Sequence, residues 1–234
     1  MGKLKQLYEG KAKKMFSTEK EDIYIQEFKD DATAFDATKR GTIHDKGLVN
    51  NKISTKLFEL LESKGIPTHF IELINDREML VKKVEIVPLE VTMRNIVAGG
   101  MAKLLGLEEG IILDEPVFEY HYKEDALHDP LINEYHIKAL KLATSDELDK
   151  IKSMSFKIND ILIEFFASKN LDLVDFKLEF GRSKGDIILA DEISPDTCRL
   201  WEKGTKRKMD KDRFRRDLGN IEETYKEVMK IVLG

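Results

Sequence analysis

Between Leu173 and Trp201 the chain reads LVDFKLEFGRSKGDIILADEISPDTCRLW. Asp175, Lys177 and Glu179 alternate with Val174, Phe176, Leu178 and Phe180. On a β-strand the three charged side chains share one face and the apolar ones the other. A second strand, Ile187 to Ala190, runs into Asp191 and Glu192, and a loop carrying Arg199 follows. Three carboxylates and a lysine could converge at one end of such a hairpin, a charge density around which a nucleotide pocket can be built. The competing reading is the wet face of a half-buried antiparallel strand. Hairpin register separates the two. A two-residue loop at Lys184-Gly185 pairs Glu179 with Ala190 and leaves Asp191 on the opposite face. A three-residue loop, Lys184 to Asp186, pairs Glu179 with Asp191 and puts both on one face. Only the second register makes a divalent metal site, and it is the one expected.

Other stretches carry chemistry of a complementary kind. Gly10 marks a turn between short strands and is followed by Lys11, Lys13 and Lys14. Glycine allows close backbone approach and lysines supply mobile positive charge, so this hairpin suits a lid over phosphates; a solvated basic hairpin is the alternative. No Walker A pattern and no GxGxxG occurs, which argues against a P-loop or Rossmann site. Arg94 ends a strand, and Gly99-Gly100 opens the short helix Met101 to Leu105. Free N–H groups there, with a bidentate arginine, can hold an anion, although Gly-Gly also occurs in plain turns. Around the connector 82–88, KKVEIVP, exposed backbone amides could meet the edge of an adenine, with Val81, Lys82, Val84 and Ile86 against it; core packing accounts for the apolar three equally well. Asp129 precedes Pro130, which holds it out of helical geometry and free to aim at a substrate.

These residues need a frame. The chain has 234 residues, 41% hydrophobic and 35% charged, enough for one large domain or two small ones with a real core. Net charge is −5, which gives no electrostatic case for nucleic acid; the basic run Lys203 to Arg216 is mixed with acids and reads as a solvated helix face. A single cysteine, Cys198, excludes an intrachain disulfide and suits a reducing cytoplasm. No apolar run approaches a membrane span, and no signal-peptide core is seen. Residues 4 to 35 read as short strands, Ile23 to Phe28 among them. Lys46 to Lys64 reads as a helix, Thr68 to Ile74 and Met79 to Val84 as a strand pair, and Ile86 to Met93 as a strand in which Pro88 implies an edge position or a bulge. Residues 107 to 132 read as irregular, with short strands at Ile111–Leu113 and Val117–Tyr122. Thr144 and Glu147 form a capping box for a helix reaching Lys169, with Leu148, Ile151, Ile158, Leu162 and Phe165 as its buried stripe. A last helix is expected from about Asp210 to Val232, with Phe214, Leu218, Ile221, Tyr225 and Val228 inward. The expected fold class is α+β and two-lobed: a strand-rich N-terminal lobe, residues 1–84 with the phosphate hairpin, and an α/β C-terminal lobe, residues 85–234 with the metal and substrate site.

Four motifs in order resemble one family. LYEGKAK at Leu7 to Lys13, VPLEVTMRNIVAGG at Val87 to Gly100, LVDFKLEFG at Leu173 to Gly181 and DEISPDTCRLW at Asp191 to Trp201 are similar to the signatures of SAICAR synthetases, over essentially the whole length. One departure stands out. The family pattern has Gly-Ser where this chain has Gly99-Gly100, so a serine hydroxyl implied to touch the substrate phosphate is missing. Thr197-Cys198 likewise replaces small hydroxyl residues.

The resemblance implies an ATP-dependent ligase, with an ATP-grasp or kinase-like nucleotide cleft between the lobes, joining the carboxylate of CAIR to the amino group of L-aspartate through an acyl phosphate. It implies Lys11 and Lys13 on the ATP phosphates, Glu179 and Asp191 on Mg²⁺, and Lys177 neutralising the carboxylate under attack, with Asp175 orienting it or contacting the imidazole. Arg94, Arg199 and the Gly99-Gly100 helix start would clamp the ribonucleotide phosphate. Asp36, Lys123 and Asp129 would lie around the base and the metals, and the chain would form a homodimer. A kinase-like phosphotransferase acting on a small alcohol is the alternative; it would want a base aspartate, and no HRD-like or DFG-like run is present. A nucleotide-binding module without catalysis is the third.

Overall fold

The computed structural model describes residues 1–34 and 39–234. Three antiparallel strands come first, β1 (Gln6–Glu9), β2 (Lys13–Ser17) and β3 (Ile23–Phe28). A small hairpin follows, β4 (Asp31–Ala34) with β5 (Lys39–Thr42), and then helix α1 (Lys46–Ser63). Strands β6 (Phe70–Asn75) and β7 (Glu78–Lys82) complete a five-stranded sheet in the order β1-β2-β3-β7-β6. Its partner sheet begins at β8 (Glu85–Ile96), passes through the short helix α2 (Gly99–Leu105), and continues with β9 (Ile112–Tyr122) and β10 (Leu131–Ile132). Helices α3 (Glu134–Ala139) and α4 (Ser145–Ser168) lead into β11 (Leu171–Ser183), β12 (Asp186–Ala190) and β13 (Cys198–Glu202). The chain closes with α5 (Asp212–Arg215) and α6 (Ile221–Leu233). The second sheet has the order β10-β9-β8-β11-β12, with β13 on the remaining part of β11.

Central β11 explains the site. Its apolar face, with Phe176, Leu178 and Phe180 buried, packs into the same core as the α4 stripe. That stripe runs Leu148, Ile151, Ile158, Leu162 and then Phe166, with Phe165 only half buried, because a four-residue step keeps the helical face better than the expected three. The Thr144–Glu147 capping box forms as expected. On the other face of β11, Asp175 and Glu179 are 3% and 4% exposed, so this is not a solvated strand face. Pro88 falls in an irregularity of the β8–β11 ladder, where Glu179 pairs with Glu90 but Gly181 with Ile86; a residue with no N–H is accommodated there inside a central strand.

Four expectations need correction. The β11–β12 hairpin pairs Ser183 with Asp186 and Glu179 with Ala190, so the loop has two residues, not three. Lys184 and Gly185 both have positive φ, 51° and 87°, as a tight two-residue hairpin turn requires. The segment carrying Arg199, expected as a loop, is strand β13. Residues 112–122, expected as two short strands, are one continuous strand between β10 and β8. The final helix is broken: Asp217, Gly219 and Asn220 have φ of 54°, 70° and 48°, and Arg213 donates to the carbonyls of Leu218 and Gly219. Leu218 is consequently exposed rather than inward.

Candidate active site

Two polar cavities and one apolar cavity meet around β11. The first, of about 470 Å³, lies under the β1–β2 turn and is lined by Lys11, Lys13, Lys123, Asp129, Glu179 and Asp191, among others. The Gly10 N–H donates to the Lys13 carbonyl at 2.8 Å, which closes the turn. Lys13 is ion-paired with Asp191 and, at 3.0 Å, with Glu192. Lys123 Nζ lies 2.5 Å from Glu179, and Lys11 pairs with Asp125 across the cavity at 2.7 Å. Burial opposes the charge on Lys13, but Asp191, Glu192 and Glu179 outweigh it and hold its pKa above the ordinary lysine value. Burial likewise works against the Asp191 carboxylate, yet Lys13, Lys177 and Lys123 keep it well below the usual range.

Asp191 reaches this cavity by a route the register does not provide. In the observed pairing a continued strand would send it to the other face. Instead β12 ends at Ala190, and Asp191 takes a left-handed conformation with φ of 65°, which places it beside Glu179 on the cavity wall. The convergence expected of the two acids is present, although the loop register that was to produce it is not.

The second cavity, about 300 Å³, is lined by Arg94, Gly100, Asp175, Lys177, Arg199 and Arg215, among others. Asp175 is gripped by two guanidiniums: Arg94 Nη1 at 2.8 Å and Arg199 Nη1 at 2.8 and 3.0 Å. Arg94 also donates to Glu119, and Arg199 to Asp212. Asp175 is therefore the anchor of the arginine pair, whereas Lys177 is paired with Glu90 at 2.9 Å and Glu179 at 3.5 Å. Burial disfavours the Lys177 cation, but Glu90, Glu179 and Asp191 overcome that and raise its pKa. Gly99 does not offer a free amide, since its N–H donates to Glu109 at 3.1 Å. Its role is spatial: with φ of 54°, a Cβ there would collide with the Arg199 guanidinium. At Gly100 a Cβ would meet only Arg94 Nη2, at 3.9 Å.

The third cavity, about 540 Å³, is largely apolar, with Leu7, Met15, Tyr24, Val84 and Ile86 in its walls and Lys82 at its edge. Val81, expected with them, is fully buried in the main core; strand alternation turns it away from the cavity that Lys82 faces. Asp36 lies outside the described residues.

Several lining residues carry no role in the sequence reading. Glu90, Asp196, Thr197 and Lys211 line both polar cavities together with Lys177. Asp196 receives the Tyr225 hydroxyl at 2.7 Å and pairs with the fully buried Lys46 at 2.8 Å and Lys211 at 3.5 Å. Burial would raise its pKa; Lys211, Lys46 and Tyr225 hold it low instead. Burial pulls the Lys211 ammonium below its ordinary value, and Lys46 and Arg215 push the same way. Lys211 and Arg215 lie four residues apart in the basic run first read as a solvated face, and that spacing was the available signal.

As arranged, each carboxylate facing the first cavity from Glu179 and Asp191 is held by lysine, and among the described residues no group of three or more His, Cys, Asp and Glu side chains stands ready to enclose a metal ion. Two hard carboxylates beside a phosphate-sized cavity nevertheless fit Mg²⁺, which takes one or two protein carboxylates and completes its shell with water and substrate phosphates.

A family model described as SAICAR synthetase matches residues 6–232. The phosphoribosylaminoimidazole-succinocarboxamide synthase of Caldanaerobacter subterraneus subsp. tengcongensis is 62% identical over 232 residues, 99% of either chain. That of Clostridium botulinum (strain Loch Maree / Type A3) is 60% identical over 232 residues, again 99% of either. Among solved structures, the synthase of that name from Ehrlichia chaffeensis has a TM-score of 0.95 at 49% identity, covering 97% of this chain and 98% of its own. A SAICAR synthetase in complex with ADP has a TM-score of 0.94 at 52% identity, covering 96% of each.

Proposed function

The chain belongs to the SAICAR synthetase family, and from that premise we propose how its cleft carries out the ligation. The enzyme uses ATP to join the carboxylate of CAIR, an aminoimidazole ribonucleotide, to the amino group of L-aspartate, releasing SAICAR, ADP and phosphate in de novo purine biosynthesis. One observation carries the mechanism: Glu90, Lys177, Asp196, Thr197 and Lys211 form a wall common to both polar cavities. A phosphoryl donor in one cavity and a carboxylate in the other meet at the Lys177 ammonium.

A carboxylate is a poor acceptor for an amine because expelling oxide is prohibitively costly. In the first step an oxygen of the CAIR carboxylate attacks the γ-phosphorus, the bond from that phosphorus to the β–γ bridging oxygen breaks, and ADP leaves. In the second, the amine nitrogen of aspartate attacks the acyl carbon and loses a proton, and the bond from that carbon to the phosphate oxygen breaks. Lys11 and Lys13 hold the ATP phosphates beneath the Gly10 turn. Lys177 screens the two anions that must approach each other, so its work is positioning and charge neutralisation. Arg94 and Arg199, kept in place by Asp175, clamp the ribonucleotide phosphate, with Gly100 leaving room for it. Asp129 and Lys123 border the donor cavity. Glu179 and Asp191 would hold Mg²⁺, which when bound neutralises charge on the phosphates.

The base of ATP is assigned to the apolar cavity. Its walls come from β2 and β3 on one side and from Glu179, Ala190 and Asp191 on the other. This supports a two-lobed, ATP-grasp or kinase-like cleft between residues 1–84 and 85–234. No helix among the described residues is long and apolar enough to cross a membrane, and the lone Cys198 is buried, with its thiol pKa pushed up chiefly by burial; a cytoplasmic setting suits both. A homodimer is proposed with it, and the exposed Leu104, Leu105, Ile111 and Ile112 offer an apolar face for it.

Phosphate release from ATP tests the reading. Release requires CAIR and L-aspartate together in a ligase. Transfer to an alcohol acceptor alone would instead make the protein a phosphotransferase, and binding without turnover a nucleotide-binding module.

A further inference from the structure

Among the side chains lining the apolar cavity, one buried polar group is left without a hydrogen-bond partner and unused by the mechanism above. His69 is 2% exposed, yet it is among the residues lining this cavity, alongside Met15, Tyr24, Val84 and Ile86. Its backbone is fixed on both sides, the N–H donating to the Leu189 carbonyl at 2.8 Å and the carbonyl accepting from the Lys82 N–H at 2.7 Å. Its ring stands edge-on to Phe58, with centroids 5.2 Å apart and planes at 78°. The backbone is thus anchored and Phe58 packs against one side of the imidazole. Neither Nδ1 nor Nε2 has a hydrogen-bond partner among the described residues.

An unsatisfied buried polar group costs about 1–3 kcal/mol, and such exceptions need an explanation. Neighbouring polar side chains are already committed: Lys82 Nζ donates to the Thr68 carbonyl at 2.8 Å, Gln26 Nε2 to the Asp191 carbonyl at 3.1 Å, and Lys13 is held by Asp191 and Glu192. Burial, chiefly, pulls the His69 pKa down to about 3. The ring is therefore neutral at physiological pH, with one nitrogen a donor and the other an acceptor.

We propose that His69 hydrogen-bonds the purine base of the bound nucleotide, an unprotonated ring nitrogen accepting from the exocyclic amine of adenine. The proposal rests on the placement of the base in this cavity. Because both ring nitrogens are unpaired, either tautomer is open to the imidazole. The contact therefore favours a 6-amino purine over one with hydrogen at that position, and does not by itself reject a 6-oxo purine.

Calorimetric titration with ADP and with purine riboside diphosphate, which lacks the 6-amino group, tests both levels separately. The unmodified protein should prefer ADP by about 5–10-fold, the worth of one hydrogen bond. His69→Phe should bind the two equally, and Met15→Trp, which fills the cavity, should bind neither. An ADP preference undiminished in His69→Phe overturns the His69 contact while leaving the base where it is. Full-strength binding to Met15→Trp overturns the placement of the base and the proposal with it. A second readout needs no variant: in the unmodified protein with ¹⁵N-labelled histidine, ADP should shift the His69 ring nitrogens and fix one tautomer. Ring signals indifferent to ADP would overturn the contact even if His69→Phe failed to fold.

Discussion

Asp191 owes its place on the wall of the first cavity to a single backbone angle. Its φ of 65° turns a side chain that strand geometry sends to the apolar, core-packed face into the cavity that Glu179 faces, and three lysines hold it ionised there. Non-glycine residues in this region cost of order 1–3 kcal/mol and cluster at functional sites. Alternation along β11 was enough to put Asp175, Lys177 and Glu179 on one face; nothing in the sequence signals a left-handed aspartate. The partners of Lys177 were similarly out of reach, because Glu90 comes from β8, across the sheet. Lys177→Met should lower kcat by about 10²–10³-fold while the Kd for ATP, measured by calorimetry, stays within about threefold; unchanged turnover would remove Lys177 from the chemistry. Gly100→Ser adds a hydroxyl where a Cβ has room, 3.9 Å from Arg94 Nη2, and serine at a helix start is no worse than glycine. It should lower the KM for CAIR by about 3–10-fold with kcat little altered, as steady-state kinetics would register.

At the scale of elements, the hairpin and the helices were legible and the joints between them less so. Lys184-Gly185 carries the signal of a two-residue turn, with glycine at its second position, and both residues have the positive φ such a turn needs. Arg199 reads as a loop residue because Pro195 and Asp196 precede it, yet β11 is long enough to pair with β12 at one end and β13 at the other. The apolar spacing after Asp210 ran on through Leu218-Gly219-Asn220, whose turn chemistry ended the helix. Helix α4 was read correctly because its cap is local: Thr144 Oγ1 accepts from the Glu147 N–H, and Glu147 accepts from the Thr144 N–H at 2.8 Å. Invisible to the sequence was the second duty of Glu147, whose carboxylate Arg182 of β11 grips at 2.6 and 3.1 Å. Chiefly through that arginine, the Glu147 pKa falls to about 2. A depressed carboxylate stabilises the fold above its unfolded-state value and loses that contribution as pH falls through its folded-state value. Glu147→Gln should therefore cost about 1–2 kcal/mol in urea denaturation at pH 7, with the difference from the unmodified protein shrinking between about pH 5 and pH 2. A difference independent of pH would contradict the ion-pair account.

Across the whole molecule, the site is assembled from segments far apart in the chain. The β1–β2 hairpin supplies Lys11 and Lys13, proposed to hold phosphate, β8 and β11 the central charges, β13 an arginine, and the stretch before and within α5 supplies Lys211 and Arg215. The Lys46–Asp196–Tyr225 contacts tie the start of α1 and the middle of α6 to the wall between the cavities. No local pattern announces such a tie; buried Lys46 reads in sequence as an ordinary helix-start lysine. The architecture nonetheless supports one chemical commitment: the two polar cavities share a wall, and in the proposed mechanism the carboxylate of one substrate meets the terminal phosphate of the other there. CAIR labelled with ¹⁸O in its carboxylate tests that commitment most directly, by mass analysis of the phosphate released on turnover with ATP and L-aspartate. An acyl phosphate requires one ¹⁸O atom in each phosphate formed; phosphate without label would show that the carboxylate was never phosphorylated and would contradict the account.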